Sequence, residues 1–114
     1  TFNDTEEMRQ ARVGCTNGAV DLAELQQALD CLGRWCNSGH KIPPKSGEHC
    51  TVGGSMIYCC SYGGWNPCFA DELATAWGAI QRDCGQGKGG WWYHPDWKKT
   101  YGIDVANADV CGNL

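Results

Sequence analysis

Nine cysteines in a chain of 114 residues constrain this fold more than any other feature of the sequence. They stand at positions 15, 31, 36, 50, 59, 60, 68, 84 and 111. The density is close to the ~8–10% that marks disulfide scaffolds. A reducing cytosol would keep such thiols free, so the expectation is a secreted, extracellular protein. Zinc fails on spacing, since no C-x-x-C pair occurs. A domain of this length buries a limited fraction of its surface, so cross-links matter to its stability. Four disulfides at ~2–4 kcal/mol each are comparable with a typical net stability of ~5–15 kcal/mol. The odd count leaves one thiol single or paired between chains, and eight cysteines alone allow ~105 pairings. Cys59 and Cys60 are adjacent, so in a strand they face opposite sides. Only one of them can enter a core bridge. Cys60 is assigned to it, with Cys84 as its expected partner, and Cys59 becomes the free thiol. Cys15, Cys31, Cys36, Cys50, Cys68, Cys84 and Cys111 complete the disulfide set.

The length suits a single domain. Residues 1–14 carry charge and little apolar content and read as a flexible N-terminal arm, leaving residues 15–114 as the disulfide-stabilised domain. An early strand around Arg12 to Cys15 is a second expectation. Nine Lys+Arg against 13 Asp+Glu give a net charge of −4, which argues against a nucleic-acid partner. No run of ~18 apolar residues predicts a membrane span. The polar opening from Thr1 to Glu7 reads as a mature form whose leader has been removed. Asn3-Asp4-Thr5 is an N-glycosylation sequon, placing a glycan on Asn3 in a secretory pathway.

Asp21 with Glu24 fits a capping box, and Leu22, Leu25, Leu29 and Leu32 follow at helical spacing, with Gly33 as the expected stop. Cys31 lies off that stripe, so its bridge should hold a loop against the helix flank. Residues 55–62 predict a buried strand with Met56, Tyr58, Cys60 and Tyr62 on one face and Ile57 and Cys59 on the other. A second helix is predicted from Asn66-Pro67, with Asn66 as N-cap, to Gly85, burying Phe69, Leu73, Ala76, Trp77, Ile80 and Cys84. Residues 98–105 read as a closing strand. If the two central strands are parallel, the second helix is their crossover. The expected class is α+β: a small disulfide-rich α/β sandwich with two helices packed on one face of a small sheet.

No catalytic constellation emerges. His40, His49 and His94 stand outside zinc-binding spacings, so no metal site is expected. Asp71 and Glu72 diverge by ~100° on a helix and read as helix-start charge. Ser55 and Ser61 lack a nucleophile elbow, and the glycine run after Cys84 lacks the ending of a phosphate loop. No cofactor is expected. Lys98-Lys99 reads as a solvated basic turn. Six tryptophans, three of them within residues 91–97, are the unusual element. Trp91 and Trp92 must face opposite sides of a strand, so a one-sided core cannot hold both. The candidate binding surface is therefore aromatic: Trp65, Trp91, Trp92, Tyr93, His94, Trp97 and Tyr101.

The order Gly54-Ser55-Met56-Ile57-Tyr58-Cys59-Cys60-Ser61-Tyr62, Cys68, Asp71-Glu72-Leu73, Ile80, Cys84-Gly85, Gly90-Trp91-Trp92 resembles small cysteine-rich proteins secreted by filamentous fungi. That group includes plant-pathogen effectors and, more distantly, the smut killer toxin and necrosis-inducing effectors. The resemblance spans roughly residues 21–111 and implies an α/β sandwich. In such relatives the strand carries one cysteine, matching Cys60 and leaving Cys59 as the extra one. The killer toxin is basic and this chain is acidic, so channel blocking is not implied. The expectation is a non-enzymatic, monomeric, effector- or killer-toxin-like protein that binds a host or competitor protein. The alternative is a module that binds chitin or another cell-wall glycan through its aromatics.

Overall fold

A computed structural model describes residues 11–112 of the chain; Asn3 lies outside the described residues. Strand β1 (Arg12–Ala19) leads into helix α1 (Leu22–Asn37), then β2 (Lys41–Ile42), β3 (Ser46–Val52) and β4 (Ser55–Ser61). After β5 (Asn66–Pro67) come helix α2 (Ala70–Cys84) and the hairpin of β6 (Lys88–His94) and β7 (Lys99–Val105). Five strands form one sheet in the order β1-β6-β7-β4-β3, and every neighbouring pair is antiparallel. Strands β2 and β5 pair separately. This is the expected small disulfide-rich α+β class. Among the described residues no helix is long and apolar enough to cross a membrane.

The central strands are not parallel. Helix α2 carries the chain from β4 to β6, and the returning β7 fills the place between them. Helix α1 likewise joins the two edge strands, β1 and β3. Such split crossovers let both helices lie over a wholly antiparallel sheet. β1 begins at Arg12, where an early strand was expected, so residues 12–14 belong to the sheet.

The Asp21 side chain accepts from the Glu24 N–H at 2.9 Å, as a cap should. Glu24 does not close the box on Asp21. Its Oε1 accepts from Gly54 N and Ser55 Oγ, each at 3.1 Å, while Ser55 Oγ accepts from Asp21 N at 3.0 Å. The cap thus fastens α1 to the β3–β4 turn. Gly33 does not stop the helix, which runs to Asn37. It sits buried where a side chain would contact Ala70 of α2, so its smallness serves helix approach. Asn66 and Pro67 do not start α2 either. They pair with β2, and the helix opens at Ala70 behind Phe69. Gly85, at φ 97°, ends it as expected.

The alternation along β4 holds. Ile57 and Cys59 join Leu25, Leu32, Leu73 and Ile80 in the core beneath the helices; Met56, Tyr58 and Cys60 form a second cluster on the opposite face. The disulfides are Cys15–Cys84, Cys31–Cys50, Cys36–Cys68 and Cys60–Cys111, with Cys59 free and buried. Cys84 does bridge to the sheet, but to β1 and not to Cys60. Cys60 points away from α2, so it reaches the C-terminal segment instead. Cys31 is bridged to strand β3, not to a loop.

Lys98 is exposed, but Lys99 is not solvated as expected. Its ammonium lies 2.6 Å from Glu72 Oε1 of α2 and donates to Pro67 O at 2.8 Å. Tyr101 Oη also donates to Glu72 Oε1, at 2.7 Å. Rings of Phe69, Trp97 and Tyr101 surround the ammonium at 5.2–5.4 Å. Glu72 is therefore more than helix-start charge: it ties α2 to β7 inside the core. Removing one partner of such a pair would strand the other at a cost of about 3–5 kcal/mol.

Burial pushes the Cys59 thiol up from 9.0 to about 12. Above the ordinary thiol value the unfolded chain releases this proton and the folded one keeps it. Stability therefore falls as pH rises from about 9 towards 12, by up to about 1.4 kcal/mol per pH unit from this group. Burial raises the Tyr101 and Tyr58 hydroxyls in the same sense. Without reductant, the native protein should take up no iodoacetamide, and the denatured protein should take up one equivalent. Cys59→Ala should shift the alkaline unfolding midpoint upward. Uptake by the native protein, or an unchanged alkaline midpoint, would contradict this account.

Candidate aromatic groove on the helix-free sheet face

Both described helices cover one face of the sheet, and among the described residues the other face is shaped by its own side chains and by the segment after β7. Cross-strand register places Gly14, Trp91, Gly102, Tyr58 and His49 in one transverse row on that face. The two glycines are the reason its rings lie where they do. A Cβ at Gly14 would collide with the Trp91 indole, and one at Gly102 would collide with the Tyr58 ring. Lacking both, the sheet lets each ring pack directly on a neighbouring backbone.

The chain then turns back. Ala106 N donates to Gly54 O at 2.9 Å, and the Cys60–Cys111 bridge brings Ala108, Val110 and Cys111 onto Met56 and Tyr58. A groove of about 630 Å³ remains, with Asp109 and Val110 along one side and Trp91 and Tyr93 along the other. Tyr58 and Thr100 also line it. Tyr62 joins them and packs edge-on against Tyr93, with centroids 5.8 Å apart. Asp104 and Thr16 contribute as well, near an irregularity of β1 where Asn17 takes φ 65°. Asp104 Oδ1 occupies the space that a side chain at Gly18 would need and accepts from Val105 N at 2.8 Å. Burial, then the nearby Asp104 charge, pushes the Tyr58 hydroxyl well above the usual phenol range. It stays a neutral donor.

Of the expected aromatic surface, Trp91 (36% exposed) and Tyr93 line this groove. Trp92, His94 and Tyr101 do not: each is buried on the helix side, because strand alternation sends odd and even positions of the hairpin to opposite faces. Trp97 is half-buried, stacked on His94 with centroids 3.8 Å apart. Trp65 is 66% exposed but does not line the groove. Tyr58, Tyr62, Thr100, Asp104 and Asp109 were not singled out as site residues from sequence. The alternation of β4 had already put Tyr58 and Tyr62 on one face; what it lacked was the knowledge that both described helices lie on the other. Among the described residues no group of three or more His, Cys, Asp or Glu side chains is placed to hold a metal ion.

The chain matches no family model, and no curated protein or solved structure proves similar to it.

His94 is fully buried, and neither ring nitrogen has a hydrogen-bond partner. Such a group contributes packing and bears a desolvation cost. His94→Phe should leave the melting temperature unchanged or raise it. A fall of more than about 5 °C, on the order of 1 kcal/mol, would mean that the imidazole makes a polar contact essential to the core.

Proposed function

We propose that this is a secreted, disulfide-stabilised, non-enzymatic protein of the effector or killer-toxin-like kind, acting by binding a host or competitor protein through the groove on the helix-free face. The observation that carries the reading is the aromatic wall of Trp91 and Tyr93 beside a floor that includes Tyr58. Aromatic side chains around a concave patch are the usual anchors of a binding surface. The four disulfides are consistent with an extracellular setting. A second reading, a module for chitin or another cell-wall glycan, draws on the same geometry. An indole packed on a glycine backbone offers a face on which a sugar ring stacks.

Labelled protein incubated with intact host or competitor cells separates the two. Binding should be lost on mild protease treatment of the cells and reduced about tenfold or more by Trp91→Ala, a size typical of an anchor residue, with Trp65→Ala close to wild type. Retention on insoluble chitin, cellulose or glucan, abolished by Trp91→Ala, would favour the glycan module instead. Protease-sensitive cell binding that survives Trp91→Ala and Tyr93→Ala would remove the groove from the function.

A further inference from the structure

We propose that the groove receives a basic side chain, arginine in preference to lysine, presented by a protein partner. This rests on the reading that the groove is the binding site, and it adds the chemistry of what enters.

The Asp104 side chain lines the groove, yet the residue is only 7% exposed. Carboxylates are seldom buried so far without a counter-charge. Among the described residues none of the ion pairs includes Asp104, and its side chain accepts from its neighbour's N–H. Asp109 adds a second carboxylate to the lining, which among the described residues contains no Lys, Arg or His. Opposite and beneath are the rings of Trp91, Tyr93 and Tyr58, whose π-faces attract cations. An anionic ligand would meet two carboxylates. A neutral sugar would stack but would leave the Asp104 charge uncompensated.

The other face of the sheet shows the same chemistry completed within the chain. There Lys99 lies against the Glu72 carboxylate with the rings of Phe69, Trp97 and Tyr101 about it. In the groove this chain supplies the carboxylate and the rings, and the partner would supply the cation. Arginine suits it better than lysine because one planar guanidinium both stacks on an aromatic face and bonds a carboxylate. The net charge of −4 would also favour the approach of a basic surface.

The test is a titration of the full chain with amidated tetra-arginine, followed by the Trp91 indole N–H and the Tyr93 amide in nuclear magnetic resonance spectra. Tetra-lysine, tetra-glutamate and chitohexaose serve as comparison ligands. Tetra-arginine should shift both signals, bind more tightly than tetra-lysine, and weaken as salt rises from about 20 to about 200 mM. Tetra-glutamate should shift neither. Asp104→Asn should weaken tetra-arginine binding about tenfold or more, the scale of losing a buried charge partner. Asp109→Asn, at an exposed position, should weaken it by a few-fold without affecting the fold, and keeps the test decisive should Asp104→Asn unfold. Tetra-arginine that shifts neither signal, or that binds unchanged in the available carboxylate variants, overturns the proposal. Chitohexaose shifting Trp91 while tetra-arginine does not also overturns it, yet leaves the groove a binding site. Loss of the groove's role in cell binding would be seen separately, through Trp91→Ala.

Discussion

The covalent link between Cys60 and Cys111 governs the sheet face that lies opposite the two described helices. The helix side has a core of its own, built from leucines, Ile57, Ile80 and buried aromatics, and it is stitched by Cys36–Cys68 and Cys15–Cys84. The opposite side has only a small cluster around Met56, Tyr58 and Cys60. The segment after β7 packs Ala108 and Val110 on that cluster, which Cys111 joins. The bridge closes it onto β4, and the groove is the space between that segment and the Trp91–Tyr93 edge.

Two glycines act with that bridge. Gly14 and Gly102 flank Trp91 in register, and Gly102 also flanks Tyr58. Their missing side chains convert a sheet surface that would otherwise be uneven into one on which rings can lie. Glycine weakens a strand. Its presence at two positions in one row means that ring placement on this face outweighs that cost. The same face holds a nearly buried carboxylate at Asp104, whereas the ion pair on the helix face is closed within the chain.

Much of this was legible in the sequence wherever a local rule operates. The period of two along β4, the Asp21 cap and the end of α2 at Gly85 follow from neighbours in the chain, and the odd cysteine count leaves one thiol over. What could not be read depends on which elements meet. Cys59 proved free although it faces the main core, and Cys60 is bridged although it faces away. The alternation was correct, but nothing local says which face receives the helices. The aromatic run divided for the same reason. Trp91 and Tyr93 went to the open face and Trp92 and His94 to the covered one, so four consecutive residues serve two purposes. Lys99 sat beside an exposed Lys98 and looked like a solvated charge, because its partner Glu72 lies 27 residues away in the chain (99 minus 72). Gly33 and Asn66-Pro67 carried true signals of chain reversal or capping that were overruled by helix approach and by pairing with β2.

Because the two adjacent cysteines decide which face is covalently closed, identifying their partners tests the account most directly. Non-reducing proteolysis of the native protein, followed by fragmentation of the linked peptides to resolve position 59 from position 60, should place Cys60 with Cys111 and leave Cys59 unlinked. A bridge from Cys59 to Cys111, or from Cys60 to Cys84, would mean that the C-terminal segment is held differently and that the groove described above does not exist.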